Sequence, residues 1–277
     1  MIIVELNHEE LIDEDLAIDG FILGINQLSS DTYLKNDLNK TIELIKKIKK
    51  QNRLVFIDLT NLFTEKELKD LKKTIVKLEE ANVDYYLYED LGLMELIPEN
   101  KRFYYSLTYT TNKYDLELTL QENKYALISP VLTINELKEI TNDNTFFIAF
   151  GTWRIFYSRR KLLTTYFDYR NKEYEDKHYL IKEENRPDDY YPIVENNGTK
   201  IYLNDYFYLN DELSFFKNLI LKPFMLDLEK TKKVINLYLN KKNNNVDINQ
   251  ELDNLNIKHH QGLLYEDSIL IKKEKQR

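Results

Sequence analysis

The sequence predicts an α/β fold: a TIM-barrel-like (β/α) barrel with a small β-rich insertion after its sixth or seventh strand. Short, continuous apolar runs bounded by polar residues are typical of strands buried on both faces. Amphipathic helical patterns separate these runs, and repeated βα units imply parallel strands with right-handed crossovers. A doubly wound sheet would satisfy the same alternation. The first strand has no Gly-rich phosphate-binding turn after it, which favours the barrel.

Seven strand candidates alternate with helices in the first 151 residues. The strands are Ile2–Leu6, Gly20–Ile25, Arg53–Leu59, Val83–Asp90, Arg102–Leu107, Tyr125–Pro130 and Thr145–Gly151. Leucine and isoleucine recur at helical spacing over 38–48 and 68–78, which predicts two amphipathic crossover helices. Capping boxes, Thr64 with Glu67 and Thr133 with Glu136, mark two helix starts.

In the second half of the chain the alternation of strands and helices is interrupted and then resumes. Residues 168–209 are charged and tyrosine-rich with turn signals, which predicts the β-rich insertion. A helix over Asp211–Leu221, a strand over Lys222–Leu228 and a helix over Glu229–Asn240 are then expected to complete the barrel. Residues 241–277 are interpreted as a polar connector followed by a C-terminal strand that starts near Gly262, so that 1–277 form one domain.

Composition excludes several classes of function. With no cysteine among 277 residues, the chain has no disulfide, no thiolate nucleophile and no cysteine-ligated metal of its own. A formal net charge of −8 argues against coating nucleic acid through the overall field, although a local basic patch can still act. The start has no signal-peptide pattern and no run approaches a membrane span, so a cytoplasmic protein without a membrane partner is expected. The 21 tyrosines accompany many Lys, Asn and Ile residues, a composition that AT-rich DNA favours. Individual tyrosines are therefore weak evidence for a functional site.

Polar residues near the C-terminal ends of the predicted strands are the candidates for a barrel-mouth site, because such barrels place their sites there. The candidates are Asn26, Asp58, Asn61, Glu89, Asp90, Ser106, Thr108 and Ser129, with Glu195 from the insertion. The alternative for Asp58, Asp90 and Ser129 is that they cap the helices that follow.

The segment from Gly151 to Phe167 combines basic and aromatic residues. The candidates for contact with an anion, RNA or another substrate are Arg154, Tyr157, Ser158, Arg159, Arg160 and Lys161. Because Arg154 lies in an otherwise apolar stretch, its guanidinium needs a partner. Either an anionic ligand or an internal ion pair with Glu89 or Glu195 would meet that need.

Known hydrolytic motifs are missing from the sequence. There is no G-x-S-x-G elbow and no H-E-x-x-H helix, and the four histidines (8, 178, 259 and 260) lack the spacing of metal ligands. Carboxylates are too abundant to single out a catalytic pair, so catalytic residues stay undefined and no metal site is expected.

The stretch FFIAFGTWRIFYSRRKLLTTYF, with the preceding LTINELKEI, resembles the signature region of the collagenase-like peptidase family U-32. The matching positions are Gly151, Tyr157, Ser158, Leu162 and Leu163. Arg154 and Lys161 stand where the family carries cysteines, and Arg159 replaces a glycine. Weaker similarity extends over GFILGI, the central strands, YPIVENNGT and GLLYED.

This resemblance implies a barrel-like fold and several alternative functions. Members are named as peptidases, and several are implicated in oxygen-independent hydroxylation of a tRNA wobble uridine, a ribosomal RNA cytidine or the ubiquinone ring. Some carry a four-iron, four-sulphur cluster on cysteines, and some work in pairs. Without cysteine, this chain has no cluster on its own thiolates.

Three roles therefore stay open. The chain is a subunit or accessory factor in wobble-uridine 5-hydroxylation of tRNA, with a small carboxylate such as prephenate as hydroxyl donor; or a peptidase; or a non-catalytic partner of a longer, cluster-bearing family member.

Overall fold

The computed structural model describes residues 1–175, 179–196, 198–241 and 246–266. Its strands, in chain order, are β1 (Ile2–Glu5), β2 (Gly20–Ile25), β3 (Lys35–Asn36), β4 (Leu54–Leu59), β5 (Tyr85–Tyr88), β6 (Arg102–Tyr104), β7 (Tyr125–Leu127), β8 (Thr145–Gly151), β9 (Arg154–Ser158), β10 (Tyr179–Glu183), β11 (Arg186–Asn196), β12 (Gly198–Tyr202), β13 (Tyr206–Tyr208), β14 (Asn218–Lys222) and β15 (His259–His260). Eight of them are parallel and pair in the order β14-β1-β2-β4-β5-β6-β7-β8, and β8 pairs with β14 to close the ring. The prediction of a TIM-barrel-like fold is confirmed.

Helices connect most of the barrel strands on the outside. They are α1 (Leu38–Lys49), α2 (Glu65–Glu80), α3 (Lys113–Glu122), α4 (Ile134–Ile140), α5 (Leu162–Tyr169), α6 (Leu228–Lys241) and α7 (Ile248–Asn254). Both predicted capping boxes are present, at the starts of α2 and α4. Short 3₁₀ helices, Glu9–Asp13 and Leu91–Glu95 with Glu99–Lys101, take the place of α-helices after β1 and β5. Within the described residues, none of the helices combines the length and the apolar character that crossing a membrane requires.

The barrel interior is a packed core, as in other barrels of this size. It is rich in aromatic side chains: Phe103 packs on Phe146 with ring centroids 4.7 Å apart, and Phe56 contacts both rings. A second, larger core lies between the strands and the surrounding helices. The filled interior leaves only the ends of the barrel for a site.

A small antiparallel sheet follows the seventh barrel strand, β8, which agrees with the predicted place of the insertion. Its strand order is β10-β11-β12-β9. Because β9 belongs to this sheet, the insertion begins at Arg154, before the predicted start at residue 168. Strand β13 then returns antiparallel to β8, and β15 pairs with β13.

The predicted elements after residue 210 are partly wrong. The eighth barrel strand is β14, which ends at Lys222, where the predicted strand began. The predicted helix over Asp211–Leu221 is a short 3₁₀ helix, Asp211–Phe215, followed by this strand. Pro223 has no backbone N–H to continue a ladder, which explains why the strand stops there.

The segment interpreted as a polar connector contains α7 and β15. The Asp247 side chain accepts a hydrogen bond from the Asn249 N–H at the start of α7, and Ile248 and Leu252 are buried there, which explains a helix in so polar a segment. Of the predicted C-terminal strand, residues 262–266 form turns, and the remainder lies outside the described residues.

Candidate functional site

The upper layer of the barrel interior is charged. Side chains of a strand alternate between its two faces, so the residue two positions after an interior residue also points inward. Ile3, Phe56, Leu87 and Ile220 are interior residues near the C-terminal ends of their strands. The next inward positions along these four strands are Glu5, Asp58, Glu89 and Lys222. The C-terminal mouth of the barrel therefore carries a ring of ionisable groups above an apolar core.

Lys222 lies at the centre of this ring. Its ammonium forms an ion pair and hydrogen bond with Asp31, in the loop between β2 and β3, and donates to the Asp31 carbonyl at 3.1 Å. It also lies 3.1 Å from the Tyr105 hydroxyl and 3.8 Å from the Glu5 carboxylate. Burial opposes the charged ammonium, but the carboxylates of Asp31 and Glu5 outweigh burial and raise the Lys222 pKa. Lys222 is therefore a buried cation held between two acids.

Two glycines give this arrangement its space. Gly151, which ends β8, has φ +154°, and a Cβ there would lie 2.7 Å from the Lys222 Cβ. At Gly24, in β2, a Cβ would lie 2.2 Å from the Thr32 hydroxyl oxygen. Larger residues at either position would displace Lys222 or the loop that carries Asp31.

Asp58 fixes the loop that carries Asp31. One carboxylate oxygen accepts from the backbone N–H groups of Asp31 and Thr32 at 3.1 and 3.0 Å. The other accepts from the N–H and hydroxyl of Thr60 at 2.8 and 2.6 Å. Asp58 thus holds two mouth loops together instead of capping α2, whose cap is Thr64.

Arg154 forms an internal ion pair at the rim of the mouth. Its guanidinium lies 3.2 Å from Glu89 and donates to the Ser30 hydroxyl at 2.8 Å. The Ser106 hydroxyl donates to the other oxygen of Glu89 at 3.0 Å. Of the two internal partners that the sequence suggested for Arg154, the structure has Glu89. This linkage connects the small sheet, through β9, to the barrel.

Two further lysines approach the mouth from the small sheet and from β3. Lys200, on β12, is 1% exposed, and its ammonium lies 5.9 Å from the centre of the Tyr157 ring. Burial, and then the positive charge of Lys35, lower the pKa of Lys200 to about 7. Burial likewise lowers the pKa of Lys35. The small sheet therefore brings a buried amine over the barrel end.

A small cavity lies within the mouth. It is lined by Glu5, Asp31, Thr32, Asp58, Thr60, Tyr105 and Lys222, with Ile22 and Leu87 below. The space open to a water molecule is about 10 Å³, room for one water. Three polar atoms of its lining, Glu5 Oε2, Asp31 Oδ1 and Thr32 Oγ1, have no hydrogen-bond partner in the described parts of the chain.

Two of the three acids of this cavity, Glu5 and Asp31, have opposite shifts in pKa. Burial raises the pKa of Glu5 from 4.5 to about 7, against the attraction of Lys222. Burial also acts to raise the pKa of Asp31, but Lys222 and Arg154 outweigh it and the pKa is lowered. Near neutral pH the mouth therefore contains an ionised Asp31 beside a Glu5 that exchanges its proton, which suits Glu5 to acid–base chemistry.

The basic segment is divided between the mouth and the solvent. Arg154 and Tyr157 face the mouth, and the Tyr157 hydroxyl donates to Asn61 at 3.3 Å. Arg159, Arg160 and Lys161 form an exposed turn between β9 and α5, called the basic turn below. The basic turn lies beside the start of α2, since Arg159 is 3.9 Å from Glu67.

The other predicted residues have varied positions. Glu195 is buried and accepts hydrogen bonds from the backbone N–H groups of Leu163 and Thr164, so it caps the start of α5. Asn26 and Thr108 are exposed. Ser129 donates to the Leu107 carbonyl, Ser158 accepts from the Arg160 N–H, and Asp90 accepts at the start of its 3₁₀ helix.

The residues that sequence reasoning missed are Glu5, Asp31, Lys35, Tyr105, Lys200 and Lys222. The strand-end rule that selected Asp58 would also have selected Glu5. Lys222 was missed because its strand was placed four residues too late along the chain. No group of three or more histidines and carboxylates among the described residues is arranged to hold a metal ion.

Together, the fold and the mouth define an eight-stranded (β/α) barrel whose C-terminal end carries buried ionisable groups beneath a small β-sheet. The family model for peptidase family U32 matches residues 15–219. The chain belongs to this family. Neither the curated proteins nor the solved structures contain a match to the chain.

Proposed function

We propose that the protein is a subunit or accessory factor in the 5-hydroxylation of the wobble uridine of tRNA. The observation that carries this proposal is the basic turn, three consecutive cationic residues exposed at the same end of the barrel as the ionisable mouth. Phosphate contacts position a protein on RNA, and consecutive arginines and lysines are suited to them.

The basic turn is available to a polyanion. The one ion pair of its side chains within the described residues joins Arg159 to Glu67 at 3.9 Å, with both side chains more than half exposed. An exposed ion pair of this kind contributes little to stability, so Arg159 can readily exchange Glu67 for a phosphate group. Because the whole chain has a charge of −8, RNA contact is expected to be local to this turn.

The mouth would receive a base or a small carboxylate after the small sheet moves away from the barrel end, because its cavity has room for about one water. Arg154 is already paired with Glu89, so its role is to hold the small sheet over the barrel. The Tyr157 ring, two residues before the basic turn, is contacted by the Arg154 guanidinium at 5.5 Å and the Lys200 ammonium at 5.9 Å, so a base that stacks on it replaces one of these contacts. In this arrangement the turn binds the tRNA backbone and the mouth receives the reacting groups.

The deciding experiment is mass spectrometry of tRNA nucleosides from cells with and without the protein. Loss of a 5-hydroxyuridine derivative on deletion, and its return on complementation, is the expected result. A deletion strain with an unchanged nucleoside profile would refute the proposal.

A charge-reversal variant tests the basic turn itself. Arg159→Glu/Arg160→Glu should weaken tRNA binding and lower the salt slope by about 2, about 1 for each lost phosphate contact. The matched control is Lys50→Glu/Lys124→Glu, which makes the same charge change on exposed residues at the opposite end of the barrel. Equal affinities for the two variants at fixed salt would exclude the turn as the RNA contact.

A second candidate is a partner role beside a longer, cysteine-bearing family member. It is favoured by apolar side chains exposed on β9 and α5: Ile155 is 51%, Phe156 41% and Tyr169 83% exposed. Surfaces of this composition commonly mark protein contacts. Co-purification with such a member, reduced by Phe156→Glu, and absence of modification without it would select this role.

A peptidase role has weaker structural support. Within the described residues the Ser158 hydroxyl is hydrogen-bonded by the Arg160 N–H at 3.1 Å and by no histidine or carboxylate that would activate it. Gelatin turnover that Ser158→Ala abolishes would be the evidence in its favour.

A further inference from the structure

Lys200 is buried in a way that ion pairing does not explain. It lies on β12 opposite Tyr157 of β9, on the face of the small sheet that covers the barrel mouth. Lys200 is 1% exposed, and its amine nitrogen has no hydrogen-bond partner within the described parts of the chain. Burying a cation without such a bond is costly, so the side chain is expected to serve a ligand or a reaction.

The groups around this amine come from four elements. Lys35 lies on β3, Asp31 in the loop before it, Asp58 at the end of β4, and Arg154 on β9. The two acids are engaged elsewhere, Asp31 with Lys222 and Asp58 with backbone N–H groups. Of the two neighbouring cations, Lys35 lowers the pKa of Lys200 more than Arg154 does.

This environment favours an unprotonated amine at neutral pH. Burial and the neighbouring Lys35 both lower the pKa of Lys200, to about 7, whereas Asp58 and Asp31 act in the opposite direction. A lysine that is desolvated and next to another cation is the kind that enzymes use as a nucleophile toward carbonyl compounds.

We propose that Lys200 is a carbonyl-reactive lysine, which forms an imine with the aldehyde or ketone group of a small metabolite that also carries an anionic group. The positive charge of Lys35, beside the amine, favours an anionic compound over a neutral one, because Asp31 and Asp58 are engaged by Lys222 and by backbone N–H groups. This activity is independent of the tRNA role proposed above and is measured without RNA.

The reaction balances without any further reactant. The lone pair of the Lys200 amine forms a C–N bond to the carbonyl carbon, and the C–O bond then breaks. The oxygen leaves as water with the two hydrogens that the nitrogen loses, so no oxidant or reductant is required. Because the mouth cavity has room for about one water, the compound enters after the small sheet moves away from the barrel end.

The test is borohydride trapping on the purified full-length protein. Glyoxylate, an anionic aldehyde, is added with sodium cyanoborohydride, and the modified lysines are mapped by peptide mass spectrometry. We expect an adduct at Lys200 that exceeds those at the exposed Lys66 and Lys69. Its initial rate should rise between about pH 6 and pH 8, as the amine loses its proton. With acetaldehyde, which is neutral, the preference for Lys200 over Lys66 should fall.

Two variants separate reactivity from structure. Lys200→Met should remove the adduct while adducts at Lys66 remain, and Lys35→Met should move the pH midpoint for Lys200 upward, because one of the causes of its low pKa is gone. A purely structural Lys200 would show neither the adduct nor the pH shift. Adducts on exposed lysines with Lys200 unmodified in the wild-type protein would overturn the proposal, and this result needs no variant that folds.

Discussion

Replacing Lys222 with methionine tests whether the mouth is held together by its buried ion pair. Methionine has nearly the same length but no charge, so Asp31 would keep a buried carboxylate with its main counter-charge removed, and Glu5 would lose its nearest cation. Removing one partner of a buried pair typically costs 3–5 kcal/mol, and we expect a loss of about 4 kcal/mol in the free energy of unfolding at pH 8. At pH 5 the loss should be smaller, because Glu5, with a pKa of about 7, is then neutral.

The assay is urea unfolding followed by the fluorescence of Trp153, the one tryptophan in the sequence. Lys222→Met is compared with Asp31→Asn and with the double variant, which removes both charges. If the pair is coupled as the contacts indicate, the double variant loses less than the sum of the single ones by about 1–3 kcal/mol. Lys217→Met, in an exposed pair with Asp143, is the control and should change stability by less than about 0.5 kcal/mol. Additive single losses, or a Lys222→Met loss no larger than the control's, would refute the reasoning.

Three further outcomes follow from the same geometry. Between about pH 4.5 and pH 7 the folded protein retains a proton on Glu5 that the unfolded chain has released, so this group lowers stability by about 3 kcal/mol as the pH rises through that range; Glu5→Gln should remove that decline in urea unfolding. Gly151→Ala should destabilise the fold by about 1–3 kcal/mol, measured as a lower melting temperature, because its φ is positive and its Cβ would meet Lys222. Glu195→Ala should leave the fold intact but speed amide hydrogen exchange at Leu163, because the Leu163 N–H donates a hydrogen bond to the Glu195 carboxylate. Unchanged exchange would contradict the capping role of Glu195.

The barrel could be predicted from the sequence because its physical signals are local. Continuous apolar runs such as Gly20–Ile25 and Thr145–Gly151 have the observed strand bounds, and the capping boxes at Thr64 and Thr133 have the observed helix starts. Each of these signals depends only on residues within one turn or one strand. The eighth strand, β14, was misplaced because its run NLILK adjoins KPFMLDL, and only the closure of the ring between β8 and β1 separates the two.

The site was less predictable because its contacts are distant in sequence. Asp58 and Glu89 were found from their place near the C-terminal ends of apolar strands, and Glu89 was named in advance as a partner of Arg154. Lys200 was missed, since in a polar, antiparallel insertion nothing local separates a lysine that faces the barrel from one that faces solvent. Tyr105 was set aside with the many other tyrosines, yet its hydroxyl contacts Lys222.

The structure shows where the mouth lies relative to the two positions at which the family resemblance implies cysteines. Of the two positions where the family resemblance implies cysteines, Arg154 pairs with Glu89 inside the mouth, while Lys161 is exposed at the start of α5. One of these positions therefore belongs to the buried site and the other to the basic turn. Two groups of the mouth have a pKa of about 7, Glu5 and Lys200, one an acid and the other a base. Each can gain or lose a proton while the Lys222–Asp31 and Arg154–Glu89 ion pairs stay formed, which suits the two groups to acid–base chemistry.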